Sequence, residues 1–316
     1  MRALVTGASG FAGSHLCEHL LEKADWEVYA VCLAGCSTEN LDSVRERLTI
    51  LSGDLLDAPW TTQIVAEVRP EAVFHLAALS SPQASFDDPW GTLSNNIAVQ
   101  IHLFQAIRQA EIDPTVLVVS SGDAYGMVRS EDVPVDEETP LRPANPYAVS
   151  KVTQDFLALQ YHISYGLRAV RVRPFNHIGP RQALGFVTSD FAHQIAEIEA
   201  GRQPPVIRVG NLSAQRDFTD VRDMVHAYSL AVTKGEPGAV YNIGSDAAHS
   251  IKEILHTLLG LSTVEISVET DPARMRPSDV PVLFCDSSRF RQRTGWTPRI
   301  PLEQSLRDIL AYWRGR

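Results

Sequence analysis

Apolar positions along this chain fall into two rhythms. Short, nearly continuous apolar runs occur at residues 2–5, 26–33, 48–52, 72–76, 116–119, 168–172 and 239–243. Between them, segments 14–23, 59–69, 91–110 and 147–163 carry apolar residues at helical spacing. Strands without polar alternation suit a sheet covered on both faces, so the pattern predicts an α/β fold with a doubly wound parallel sheet. Ligands of such sheets bind at the carboxyl ends of the strands. After Pro174 the pattern loosens into a loop, a helix over 190–199 and a strand over 205–209. The expected division is therefore residues 1–173, with return segments near 217–245, and a smaller interleaved α/β domain over 174–316. The Pro- and acid-rich stretch 128–146 predicts a surface excursion above the site.

With 316 residues and 44% hydrophobic content, the chain can bury a substantial core. A net charge of −10 without any basic run argues against nucleic acid as a partner, yet leaves room for an anionic small molecule held by a few arginines. No apolar stretch reaches the roughly 18 residues of a membrane span, and the first strand begins directly after Met1, so the expected location is the cytoplasm. Cys17, Cys32, Cys36 and Cys285 lack zinc-type spacing and read as packing thiols, with no disulfide expected. His15 and His19 stand at i,i+4 with Glu18 between them, but no third ligand is evident and no metal is expected.

The first run leads into Thr6-Gly7-Ala8-Ser9-Gly10-Phe11-Ala12-Gly13 and then a helix. Strand, glycine turn and helix together form a dinucleotide site, because glycines permit close backbone approach to a pyrophosphate and the helix start attracts its charge. The second strand should end in an acid for a ribose 2′-hydroxyl or an arginine for a 2′-phosphate. Residues 32–38, Cys-Leu-Ala-Gly-Cys-Ser-Thr, offer neither, which leaves NADPH and NADH both open, although Ser37 and Thr38 could serve a phosphate. Asp54, after the third strand, is placed either to accept from an adenine amino group or to cap a turn.

Tyr147 and Lys151 lie four apart in Asn145-Pro146-Tyr147-Ala148-Val149-Ser150-Lys151, on one face of the expected helix. A neighbouring ammonium favours the phenolate, so the pair suits proton exchange with a sugar alcohol. The strand before it runs into Ser120-Ser121-Gly122-Asp123-Ala124-Tyr125-Gly126.

These three motifs, in this order, resemble the extended short-chain dehydrogenases that modify nucleotide-sugars. The second half sharpens the resemblance: Arg173-Pro174-Phe175-Asn176-His177-Ile178-Gly179-Pro180, Leu184 to Thr188, Val209 to Leu212, Arg216 to Asp220, Arg276-Pro277-Ser278-Asp279 and Thr294 to Pro298 are similar to reductases of GDP-4-keto-6-deoxy-mannose, which form GDP-rhamnose. The resemblance spans almost the whole chain. It implies a Rossmann-type domain that holds NADPH or NADH through Gly7, Ser9, Gly10, Phe11, Ala12, Gly13, Asp54, Leu55, Leu76, Ala77, Ala78, Tyr147, Lys151 and Pro174. It also implies a GDP-linked 4-keto-6-deoxy sugar contacted by Ser80, Ser121, Asn176, Val187, Asn211, Arg216, Arg276 and Asp279, with residues 182–190 lining the base pocket.

The implied reaction is reduction of the C4 ketone. Tyr147 gives the proton, Ser121 bonds the sugar oxygen, Lys151 holds the nicotinamide ribose and Asn96 helps order a proton relay. His75 reads as a core histidine. Two alternatives stay open among enzymes, a GDP-mannose 4,6-dehydratase using Asp123 and a 4-epimerase. Asp123 is one methylene shorter than the glutamate of dehydratases, and Gly122 stands where some of them place a second acid. A non-catalytic, cofactor-sensing relative would commonly lose the Tyr/Lys pair that this chain keeps. The resemblance further implies a homodimer through a four-helix bundle of the helices near 91–110 and 147–163.

Overall fold

In a computed structural model, which describes residues 1–22, 25–274 and 280–316, strands and helices alternate from the first residues. The order begins β1 (Arg2–Thr6), α1 (Phe11–Glu22), β2 (Glu27–Cys32), β3 (Thr49–Ser52), α2 (Ala58–Val68), β4 (Ala72–His75), α3 (Ala84–Asp87), α4 (Pro89–Gln109), β5 (Thr115–Val119), α5 (Pro146–Tyr165) and β6 (Ala169–Pro174). It continues through β7 (Asn176–Ile178), α6 (Val187–Glu199), β8 (Val206–Val209), β9 (Gln215–Asp220), α7 (Val221–Lys234) and β10 (Val240–Ile243). Last come β11 (Ala248–Ser250), α8 (Ile251–Gly260), β12 (Ser267–Thr270), β13 (Val282–Leu283), α9 (Ser288–Thr294) and α10 (Leu302–Arg314).

Seven of these strands form one parallel sheet in the order β10-β6-β5-β4-β1-β2-β3. Alternate residues of each strand feed opposite cores, since successive side chains point to opposite faces. Ala3, Val5, Ala72 and Phe74 pack with α1 and α7, whereas Leu4 and Val73 pack with α2, α4 and α5. The strand order reverses between β1 and β4, and the crevice at that reversal is where a doubly wound sheet takes its ligand.

The second domain interleaves more deeply than the sequence pattern indicates. Residues 215–220 belong to β9 of a separate sheet, β11-β9-β13 with β7 also on β9, so the return to the large sheet begins at Val221. A further return follows near the end, where Phe290 and Trp296 join the core of α1 and α7 and the Trp296 indole donates to the Asp223 carbonyl at 3.0 Å. The smaller core is closed by α6, α8 and α10 through Phe191, Ile195, Leu255 and Leu306.

The stretch 128–146 runs largely over the surface, exposed at Arg129, Ser130, Glu131, Pro134, Asp136, Glu138 and Pro140, but it is anchored at its middle. Val135 is fully buried, its N–H donates to Phe284 O at 3.0 Å, and its carbonyl accepts from Asp286 N at 2.9 Å. Val135 and the partly buried Leu141 pack with Tyr125, Phe175 and Leu283, which makes the stretch a strut between the domains. None of the four cysteines is joined in a disulfide. No helix among the described residues is long and apolar enough to cross a membrane.

Candidate active site

The glycine turn joins β1 to α1 with no room for larger side chains. Gly7 sits at φ +69°, and a Cβ there would lie 2.9 Å from Ala77 N. At Gly13 a Cβ would come within 2.1 Å of the Gly7 carbonyl oxygen, so the first turn of α1 rests directly on the loop. That first turn carries no acidic side chain, which leaves its orphan N–H groups available to an anion.

Above the turn opens a cavity of about 610 Å³, within the usual range of roughly 300–1,000 Å³ for small-molecule sites. Every cofactor position expected from the sequence lines it, from the glycine turn through Asp54, Leu55 and Leu76–Ala78 to Pro174. Asp54 also caps its own turn, Oδ1 accepting from Leu56 N at 2.9 Å. Volume, glycine cradle and helix start together fit a dinucleotide.

Where the second strand ends, the sequence pattern missed a cation. The 3₁₀ segment Glu39–Arg47 folds Arg45 back so that its Nη1 donates to Thr38 Oγ1 at 3.0 Å. Its charge is felt at Cys32, the residue at the strand end where a ribose-reading acid would stand. Loop closure over seven residues brings it there, which no motif at 32–38 announces.

The groups expected to react are carried at the end of β5 and the start of α5. Asn145 caps α5 by accepting from Ala148 N at 2.7 Å, with Pro146 at the first helical position, so Tyr147 and Lys151 occupy successive turns at the start of the helix. Ser121 caps the 3₁₀ turn Gly122–Tyr125 by accepting from Asp123 N at 3.1 Å. Ser121, Asp123, Tyr147 and Lys151 all face the cavity. Helix α5 is fixed lower down, where buried Asp155 accepts from Arg171 Nη1 and Arg173 Nε, both at 2.7 Å. Arg173 in turn donates to the Tyr125 hydroxyl at 3.1 Å, and that hydroxyl donates to Asn242 Oδ1 at 2.6 Å.

The electrostatics correct one expectation. Burial first, then the Asp123 carboxylate, pushes the Tyr147 phenol up, with the Ser121 hydroxyl opposing; the phenol is held protonated rather than drawn toward phenolate. Lys151 Nζ lies 5.9 Å from the Tyr147 ring centroid and donates to Val119 O at 2.9 Å. Burial lowers its own pKa to about 7. His75 is a core histidine, bonded through Nδ1 to Thr6 Oγ1 at 2.9 Å and pushed down to about 3 by burial and then by Lys151.

Of the remaining expected residues, Ser80, Asn176, Val187 and Arg216 also line the cavity. Asn96 does not line it. Its amide is spent on Leu79 N at 2.8 Å, Leu79 O at 3.1 Å and Ser150 Oγ at 2.9 Å, and its carbonyl on Gln154 Nε2, so it ties the 76–83 loop to α5 instead of meeting a reactant. Asn211 is likewise off the cavity wall, its Oδ1 accepting from Ser213 N at 2.9 Å. Arg276 and Asp279 lie outside the described residues. His15 and His19 are engaged apart, by Pro180 O at 3.0 Å and Ser229 Oγ at 3.1 Å. The sequence reading also passed over Asn95, His177 and Tyr228, which line the cavity. His177 stacks on Phe11, the two rings 5.8 Å apart and within 6° of parallel.

A parallel doubly wound sheet with this glycine turn and a Ser121/Tyr147/Lys151 constellation defines an extended short-chain dehydrogenase/reductase. The chain belongs to the GDP-mannose 4,6 dehydratase family, whose model matches residues 4–309. It is 38% identical over 315 residues to a GDP-6-deoxy-D-mannose reductase of Pseudomonas aeruginosa, covering 100% of this chain and 98% of that protein. It is 29% identical to a GDP-mannose 4,6-dehydratase of Vibrio cholerae, covering 98% and 92% of the two chains. Among solved structures, RMD from Pseudomonas aeruginosa complexed with NADPH superposes with a TM-score of 0.87 at 36% identity over 99% of both chains. A Thermus thermophilus UDP-glucose 4-epimerase in complex with NAD superposes with a TM-score of 0.89 at 30% identity, covering 100% and 99%.

Proposed function

We propose that this protein uses NAD(P)H to reduce the C4 ketone of a nucleotide-linked 4-keto-6-deoxy sugar, converting GDP-4-keto-6-deoxy-D-mannose to GDP-D-rhamnose. The observation that carries this reading is a buried, protonated Tyr147 phenol facing the cavity with Ser121 beside it. The Pseudomonas reductase relative supports the same chemistry. NAD(P)H held in the cavity would supply the hydride for the sugar C4. Tyr147 gives its proton to the developing alkoxide oxygen, and Ser121 bonds that same oxygen. A proton donor must start protonated, which burial beside Asp123 ensures. Lys151 would hold the nicotinamide ribose, and its ammonium, with a pKa near 7, can return a proton to the phenolate. Asn176 and Arg216 take the nucleotide-sugar, the guanidinium suiting a diphosphate.

NADPH is the preferred coenzyme in this reading, because Arg45 is the cation placed beside the second strand's end and no carboxylate stands in residues 32–38. A homodimer is supported by the apolar side chains left exposed on α4 and α5, among them Trp90 at 79% and Ile163 at 72%. Light scattering of wild type and Ile163→Glu tests it: a dimer mass that falls to monomer is expected.

A second reading, sugar 4,6-dehydration, draws on Asp123, whose carboxylate acts on Tyr147 within the cavity. Against it, a Cβ at Gly122 would meet the Phe175 ring at 3.2 Å, so a second acid has little room there. The deciding experiment follows NADPH and NADH oxidation on addition of GDP-4-keto-6-deoxy-mannose, with GDP-mannose and Tyr147→Phe as controls. Oxidation that the variant loses supports the reductase. No oxidation, with GDP-mannose turned into a keto sugar, would transfer the reading to dehydratase.

A further inference from the structure

Among the described residues, several buried side-chain polar atoms lack a hydrogen-bond partner, including His75 Nε2, Thr219 Oγ1 and the Tyr228 hydroxyl. Of all these groups only Tyr228 also lines the cavity. Leaving a buried hydroxyl unpaired is costly, so a fold that holds one at a cavity wall points to a partner arriving with a ligand. The side chain is fully buried, on the second turn of α7. Helix α7 packs on the same face of the sheet as α1, opposite the face from which α5 presents Tyr147. Packed against the same core as Tyr228 are Phe11 of the glycine turn and Val119 of β5, whose carbonyl accepts from Lys151 Nζ at 2.9 Å. Tyr228 therefore reaches the reacting end of the cavity from the glycine-turn side.

That position selects one part of one ligand. The cofactor's pyrophosphate belongs at the glycine turn, and its redox ring must lie beside Tyr147 for the proposed reaction. Phe11 and Val119 pack against the core that contains Tyr228 and also line the cavity, giving a flat ring apolar surfaces. The one strongly polar substituent on such a ring is its carboxamide, which can both donate to and accept from a phenol.

We infer that the Tyr228 hydroxyl hydrogen-bonds the carboxamide of the nicotinamide ring and so fixes the ring's orientation over the site. The inference rests on the cofactor reading given above. It makes Tyr228 a cofactor-binding residue from the helix opposite the proton donor, outside any of the glycine, Ser or Tyr/Lys motifs.

Tyr228→Phe removes the hydroxyl alone, and because that hydroxyl is unpaired, the ligand-free variant should melt at the wild-type temperature or higher. Isothermal titration would compare NADPH or NADH, whichever wild type binds better, with the matching ADP-ribose or 2′-phospho-ADP-ribose, which lack the nicotinamide. The expected result is coenzyme affinity about tenfold weaker, equivalent to about 1.4 kcal/mol, with the ADP-ribose fragment held within twofold of wild type. Equal weakening of both ligands would mean a packing role, and no change in either would mean a hydroxyl that meets nothing; each overturns the inference. If wild type binds no coenzyme at all, the cofactor reading fails and this one fails with it, whereas normal wild-type binding with an indifferent variant sinks only the Tyr228 assignment.

Discussion

The two walls of the cavity are built differently. On the large-sheet side, residues 7–13, 76–78, 121, 147 and 151 sit at strand ends or in the first two turns of a helix, and Tyr147 and Lys151 are nearly inaccessible. On the small-domain side, Asn176, Val187 and Arg216 come from a three-residue strand, the start of α6 and a strand of the second sheet. Asn176 is exposed, and Val187 and Arg216 are half-buried. In the proposed reaction the first wall would hold the groups that proton and hydride transfer require in a fixed geometry. The second offers groups that can adapt to a particular nucleotide and sugar. In the proposed function, chemistry and selection thus fall to separate packing units.

Tyr147→Phe should cut the contrast at its strongest point, with kcat down about a thousandfold, in the range of a lost general acid, and coenzyme affinity measured by titration unchanged. Arg216→Ala should act on the other wall, raising KM for the nucleotide-sugar roughly 10- to 100-fold, the loss of a charge-assisted contact, with kcat affected less. A kcat effect as large as that of Tyr147→Phe would erase the distinction between the walls. Arg45→Ala should weaken NADPH binding by up to about tenfold and leave NADH nearly untouched, a modest effect because the guanidinium is exposed.

The smallest effect concerns stability. Lys151 has its pKa lowered to about 7 by burial, so between about pH 7 and its unfolded value near 10.4 the unfolded chain binds the extra proton, and this group makes stability rise with pH. Lys151→Met should therefore raise the melting temperature of the ligand-free protein at pH 6, with the gain shrinking toward pH 9. Equal gains at both pH values would mean that the ammonium is not desolvated as described.

The large-sheet wall was legible in sequence because its determinants are local: a turn that only glycine fits, a helix cap at Asn145-Pro146, and Tyr147 and Lys151 one turn apart. What escaped notice depends on distance along the chain. Arg45 reaches Thr38 through a loop, Phe290 and Trp296 rejoin the first core from the far end, and Val135 is buried although prolines and acids surround it. Tyr228 had no signal at all, since one tyrosine among the apolar residues of α7 reads as core. Asn96 misled for the opposite reason. Its position beside the site was legible, but the hydrogen bonds that consume its amide were not.

The carboxylate of Asp155, shared by Arg171 and Arg173 beneath the proton donor, also bears on how this sequence can change with time. Losing the acid alone leaves two guanidiniums confronting each other in the interior, and losing either arginine alone leaves a buried charge only half compensated, a disruption of about 3–5 kcal/mol. No single replacement leads out of the arrangement. Helix α5 is consequently held at one register while the opposite wall remains free to drift, and descendants of this chain would diversify in what they bind long before they altered where the proton is delivered.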